Sequence, residues 1–261
     1  MSLSVSGPAS RALPRLAFLL LAALAALFPA ASAAAPFQDD FERTLPMRAG
    51  ASFDLQNING GITVQGWDRE EIQIQAIKSS RGNPSDAERV SIDVSSTPRG
   101  VSVATRYPQD EGVEVAVDYT IRLPHSARIQ RIATINGTLR ISGVDTLLDL
   151  RTVNGNIEVF GAGSTVHART TNGSVRLDLT RAAEACAETT NGSVLLSVPP
   201  GIHATIEALS LNGDFQSEIP LKLNSSQRPR EIRGQFGKGG SPIRLRTVNG
   251  TIRVAALRPV V

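Results

Sequence analysis

Residues 133–141, 151–159, 169–177, 188–196, 209–217 and 246–254 read ATINGTLRI, RTVNGNIEV, RTTNGSVRL, ETTNGSVLL, LSLNGDFQS and RTVNGTIRV. Each holds an Asn-Gly pair at its centre: Asn136-Gly137, Asn154-Gly155, Asn172-Gly173, Asn191-Gly192, Asn212-Gly213 and Asn249-Gly250. A seventh copy, Asn59-Gly60, lies far upstream. From Asn136 to Asn212 the spacings are 18, 18, 19 and 21 residues. Two residues before each of the six stands Thr134, Thr152, Thr170, Thr189, Ser210 or Thr247, and aliphatic side chains alternate after the glycine. A fixed period with the same residues at the same columns marks a repeat architecture.

Asn-Gly readily takes positive φ, so each copy predicts a tight turn, and the period-two alternation after it predicts a half-buried strand. A second bend falls midway, at Gly143, Gly161-Ala162-Gly163 and Pro199-Pro200-Gly201. An antiparallel meander of hairpins and a parallel coil stack both fit this pattern. Asn-Gly alone favours hairpins. Near-constant coil length and identical residues in one column favour stacking in register. The fold class expected is therefore all-β: a parallel, right-handed β-solenoid over 126–261. At about 4.8 Å per coil the stack from 130 onward would run about 25–30 Å.

Upstream, residues 51–125 are β-rich but less regular, with strands expected at 51–56, 62–65, 71–77, 90–95, 101–106 and 113–123 and a helical turn at 85–89. This part is expected to cover the first end of the stack, because terminal coils must be blocked against edge pairing. The stretch 223–241 breaks the period and reads as a long loop or inserted coil. At the start, Arg11 and Arg15 precede a 13-residue apolar run, Leu16 to Phe28, followed by Ala31-Ser32-Ala33. Basic flank, short apolar run and small-x-small motif form a secretory signal, with cleavage expected between Ala33 and Ala34 and residues 34–50 left as a leader or linker. The run is short for a membrane span, and no later stretch is long enough, so the mature chain is expected to be exported without a transmembrane segment.

Composition narrows the function. Arg11 and Arg15 belong to the leader, leaving 25 basic against 24 acidic residues, so there is no concentrated basic footprint for nucleic acid. A single cysteine, Cys186, excludes a disulfide framework and a Cys-cluster metal site; a small buried thiol is expected there. The histidines His125, His167 and His203 share no column, and no metal-binding motif is present, so no metal or cofactor is expected. Gly237-Lys238-Gly239-Gly240 lacks phosphate-loop spacing and reads as a turn. A glycan-cleaving site would gather two carboxylates on adjacent coils. Glu158, Asp178, Glu188 and Asp214 instead fall singly among arginines.

GGITVQGWDREEIQIQAIK (60–78), VEVAVDYTIRLPHSARI (113–129), the iterated TxNG segments and GKGGSPIRLRTVNGTIRV (237–254) together resemble the DUF4097 "putative adhesin" β-strand-repeat family. The resemblance covers about residue 50 to the end. It implies a bacterial envelope or extracytoplasmic β-solenoid with no established enzymatic activity, and it carries no catalytic residues to transfer. Beside it, the Arg151–Arg169 pair, one coil apart, is a candidate face for an anionic glycan or lipid headgroup. The Asn column reads first as a structural ladder of stacked amides. The function expected is a non-catalytic structural or interaction module contacting an envelope component, glycan or protein. A carbohydrate-active enzyme on the same scaffold and an envelope sensor with a regulatory partner are the alternatives.

Overall fold

Each repeat folds into one coil of two strands joined by the Asn-Gly corner, and the strands of successive coils pair in parallel. The protein is represented by a computed structural model that describes residues 37–80, 83–108, 112–224 and 230–257. The expected leader and its cleavage site at Ala33 and Ala34 lie outside these residues, as does part of the 223–241 stretch.

Before the repeats come β1 (Phe37–Pro46), β2 (Ser52–Gln56), β3 (Ile62–Trp67), β4 (Glu71–Ser80), α1 (Ser85–Arg89), β5 (Ser91–Thr97), β6 (Gly100–Arg106) and β7 (Val115–Pro124). The regular coils follow as β8 (Arg128–Ala133) with β9 (Leu139–Ser142), and β10 (Leu148–Arg151) with β11 (Ile157–Ala162). Next are β12 (Val166–Arg169) with β13 (Val175–Leu179), and β14 (Ala185–Asn191) with β15 (Val194–Val198). The chain ends through β16 (Ala204–Asn212), β17 (Phe215–Ser217), β18 (Lys222–Leu223), β19 (Glu231–Phe236), β20 (Ser241–Asn249) and β21 (Ile252–Ala256).

Two sheets face each other across one core. The first has ten strands in the order β1-β4-β7-β3-β9-β11-β13-β15-β21-β17; the second has eleven, β18-β19-β16-β20-β14-β12-β10-β8-β2-β6-β5. Inward side chains stack in columns, such as Leu139, Ile157, Val175, Val194 and Ile252 on the first sheet, all fully buried. Opposite columns hold alanines, Ala168 and Ala187 among them, beside Leu150 and Leu245. Columns that mix small and large residues let two inner faces interdigitate.

Stacking order is not chain order. β20 lies between β14 and β16, and β21 between β15 and β17, so the final coil fills a slot inside the stack. The same happens at the other end. β2 lies between β8 and β6, and β3 between β9 and β7. The Asn column therefore runs 59, 136, 154, 172, 191, 249, 212.

Three expectations need correction. The boundary at 125/126 divides nothing, because the Asn59 coil is built into the stack and all described residues form one unit. Residues 34–50 are not merely a linker: β1 pairs antiparallel with β4 over ten residues and covers the first sheet's edge. Stretch 223–241 is not an inserted coil, since β19 turns back antiparallel along β16 and shields the second sheet's edge. The 25–30 Å expected from residue 130 onward agrees with the six strands β9 to β17 on the first sheet, and the four upstream strands extend that sheet to about 43 Å.

Candidate functional site

The Asn-Gly edge is built from three columns. Outermost, each Asn side chain donates from Nδ2 to the Oδ1 of the Asn one coil away, at 2.7–2.8 Å through all six steps from Asn212 to Asn59. Two residues earlier, the Thr hydroxyls are buried and donate to glycine carbonyls of the adjacent coil. Thr152 Oγ1 reaches Gly137 O at 3.1 Å, Thr170 reaches Gly155 O at 2.9 Å, and Thr189 reaches Gly173 O at 2.7 Å. Thr247 and Ser210 repeat this on Gly192 and Gly250, at 2.8 and 2.9 Å. In the first coil Asn57 stands in the Thr column. Its longer side chain donates to Val117 O at 2.8 Å, bridging to a strand that has no Asn-Gly of its own.

The glycines serve this edge differently from a hairpin turn. Gly137 and Gly155 do not have positive φ, whereas Gly60 does at 118° and Gly173, Gly192, Gly213 and Gly250 do at 154–159°. What reserves the position is the neighbouring coil. A Cβ on Gly155 would overlap the Gly137 carbonyl oxygen and stand 2.5 Å from its carbon. The expected tight turns at Asn59-Gly60 through Asn249-Gly250 are thus corners of a parallel coil whose backbones approach too closely for any side chain. Beside the Asn rank stand Ile58, Ile135, Val153 and Leu211, each exposed on the same edge.

On the outer face of the second sheet, Arg151 and Arg169 oppose each other in register, as the sequence places them. Neither guanidinium is unoccupied. Arg151 forms a two-pronged pair with Asp149 at 2.9–3.0 Å, which holds its pKa above the ordinary value. Arg169 binds Glu188 at 2.7 Å across a coil. One column over, Asp149, His167, Cys186, Arg244 and Glu207 follow one another coil by coil. All of these except Glu207, together with Arg151, Arg169, Glu184 and Glu188, line a shallow surface depression of about 330 Å³. Cys186 is half-buried on this outer face rather than in the core, and burial, then the Glu188 carboxylate 3.6 Å away, push its thiol pKa up. Alternation explains the correction: the neighbours Ala185 and Ala187 take the inward positions.

Arg244 joins this face although sequence reasoning did not single it out. The signal was present, since Asp149, His167, Cys186, Glu207 and Arg244 all stand five residues before an Asn of the ladder. The other singled-out groups scatter. His125 bonds Gly143 O and lies 3.4 Å from Asp68, while His203 Nδ1 accepts the Lys238 N–H at 2.9 Å in the turn at 237–240. Glu158 pairs with Arg140 at 2.8 Å and Asp178 with Arg176 at 3.0 Å. Glu158, Asp178 and Glu188 each have oxygens engaged by a guanidinium, so the outer faces are ladders of compensated charge.

The family model described as Toastrack DUF4097 matches residues 44–255. A "putative cell adhesion protein" from Clostridium sporogenes ATCC 15579 shares the fold, with TM-score 0.53 and 14% identity, covering 84% of this chain and 100% of its own. A "putative adhesin" from Bacteroides fragilis NCTC 9343 aligns with TM-score 0.36 and 10% identity, over 84% of this chain and 97% of its own. Another from Parabacteroides distasonis ATCC 8503 has TM-score 0.29 and 8% identity, over 83% and 97%. No curated protein matches the chain.

Proposed function

The chain belongs to the Toastrack DUF4097 family, and from that premise we propose that it works as an exported, non-catalytic interaction module of a bacterial envelope. The observation that carries this reading is the depression on the second sheet, where Arg151 on β10, Arg169 on β12 and Arg244 on β20 surround one floor. Guanidinium groups suit planar, two-pronged recognition of carboxylate or phosphate. Their present partners Asp149, Glu188 and Glu184 hold them until an anionic group of the partner exchanges with them. Such exchange makes binding selective and salt-sensitive rather than tight. The coil stack beneath supplies rigidity, because each strand of this face is paired on both sides.

Export rests on the leader, with the mature chain beginning at Ala34. Mass spectrometry of the protein from fractionated cells should find that terminus outside the cytoplasm; intact Met1 in the membrane fraction would contradict export. For binding, the purified mature protein should be screened against acidic glycans, neutral glycans and anionic vesicles. Reversing both Arg151→Glu and Arg169→Glu should weaken binding to the acidic member by about tenfold or more, and the difference should shrink as salt rises. Turnover of a polysaccharide, lost on changing one carboxylate, would overturn the non-catalytic reading.

A further inference from the structure

Seven Asn-Gly pairs, all but Asn59 with the Asn exposed, raise a question of chemical durability. In a flexible chain the glycine nitrogen, after losing its proton, attacks the Cγ of the preceding Asn. An N–Cγ bond forms, the Cγ–Nδ2 bond breaks, and ammonia leaves, giving a succinimide. One water then opens either carbonyl of the ring, leaving aspartate or isoaspartate. Glycine permits this ring closure because no Cβ obstructs it.

A nitrogen whose proton is held in a hydrogen bond of a stable ladder is withdrawn from this attack until the ladder opens. Six of the seven glycines are so held. Gly60 N donates to Asn136 O at 2.8 Å, and Gly137, Gly155 and Gly173 donate to Asn154, Asn172 and Asn191 O at 2.9 Å. Gly192 N reaches Asn249 O at 3.0 Å and Gly250 N reaches Asn212 O at 3.1 Å. Every bond points from one coil to the next in the same direction, so the last coil has no further Asn-Gly coil to receive its donor. That coil is Asn212-Gly213, whose N–H has no partner among the described residues. Gly213 is also exposed, whereas the other six glycines are half-covered. Asn59, at the opposite end, is protected by the same directionality, because Gly60 still has a coil to donate to.

We propose that Asn212 is a site of spontaneous deamidation in the folded protein, and that the ladder shields the other six Asn-Gly pairs. The product places a new carboxylate beside Asp214, and isoaspartate lengthens the backbone between β16 and β17. β17 is held to β21 through only three residue pairs. The modification therefore alters the exposed end of the stack while leaving its interior intact.

The experiment ages the purified folded protein at mildly alkaline pH and follows each Asn-Gly copy by peptide mapping, with fragmentation that places the modified residue. Asn212 should lead every other copy by about tenfold or more. In concentrated urea, where no ladder exists, the seven copies should react at comparable rates. Equal rates in the folded protein, or the same lead for Asn212 in urea, would overturn the proposal. In the Asn212→Gln variant, where a larger ring disfavours closure, the early acidic species should vanish; its persistence would also overturn it.

Discussion

Replacing Gly155 by alanine tests whether stacked carbonyls, rather than backbone handedness, reserve these corners for glycine. The new carbon would overlap Gly137 O, lie 2.5 Å from Gly137 C and 3.2 Å from Thr138 N. Carbon contacts settle at about 3.5–4.0 Å, so the two coils must part locally by about 1 Å. Four hydrogen bonds span that gap. They are Gly137 N to Asn154 O at 2.9 Å, Leu139 N to Asn156 O at 2.9 Å, Thr152 Oγ1 to Gly137 O at 3.1 Å and Asn154 Nδ2 to Asn136 Oδ1 at 2.8 Å. Stretching three or four of them beyond bonding distance costs about 3–4 kcal/mol at about 1 kcal/mol net each. Gly161 is the matched control. Its φ is +76°, yet its nearest neighbour is 3.9 Å from the added carbon, so alanine there meets only the left-handed penalty of about 1–2 kcal/mol. Thermal unfolding followed by far-ultraviolet circular dichroism should show a melting temperature lower by about 10 °C for Gly155→Ala and about 4 °C for Gly161→Ala. Equal losses, or a larger loss at Gly161, would refute the stacking explanation.

Asn172→Ala removes two ladder bonds and Asn212→Ala only one, so the interior change should destabilise about twice as much, by about 2 against about 1 kcal/mol in urea unfolding. Equal costs would mean the amide column is not cooperative with the coils. The chain's two tyrosines, Tyr107 and Tyr119, both have pKa values raised by burial from 10.0 to about 12. Folding thus favours the neutral phenols. Their stabilising contribution is complete below pH 10 and is lost as pH climbs towards 12. Absorbance titration of the native protein should show no phenolate component near pH 10; finding one would contradict the burial. The raised Cys186 thiol should alkylate more slowly than a free cysteine at neutral pH, and Glu188→Gln should speed it by removing a neighbouring negative charge. An unchanged rate in that variant would separate the thiol from Glu188.

The coil, its two-strand composition and the Asn and Thr columns were legible because stacking in register writes itself as period. Arg151 opposite Arg169 followed from the same alignment. The order of the last two coils was not legible, since RTVNGTIRV and LSLNGDFQS offer an identical Asn to either neighbour, and the ladder accepts any sequence of coils. A weaker signal existed in the 209–217 copy, which replaces Thr by Ser and follows its glycine with Asp214 and Gln216. That polar drift suits an end position, as β17 proves to be. Asn57 carried a comparable mark at the other end, where a longer donor was needed to reach Val117. The glycine requirement was read at the right residues from positive φ, which holds at all but Gly137 and Gly155; the carbonyl of the adjacent coil was not legible, because sequence reports which side chain is absent and not what presses against the vacancy.

The inward placement of the final coil governs how the chain can be completed. Synthesis proceeds from the first residue to the last, and a solenoid threaded in chain order could wind up behind the emerging polypeptide like thread on a spool. Here winding must halt with a slot one strand wide in each sheet, flanked by β14 and β16 on one side of the barrel of coils and by β15 and β17 on the other. Closure waits for residues 241–256, and those contacts span long stretches of chain, which makes the last stitch the slow one. Until it is made, the flanking strands present unpaired edges. Truncating the chain before β20 would therefore not trim the top of the stack: it would remove a floor from its middle.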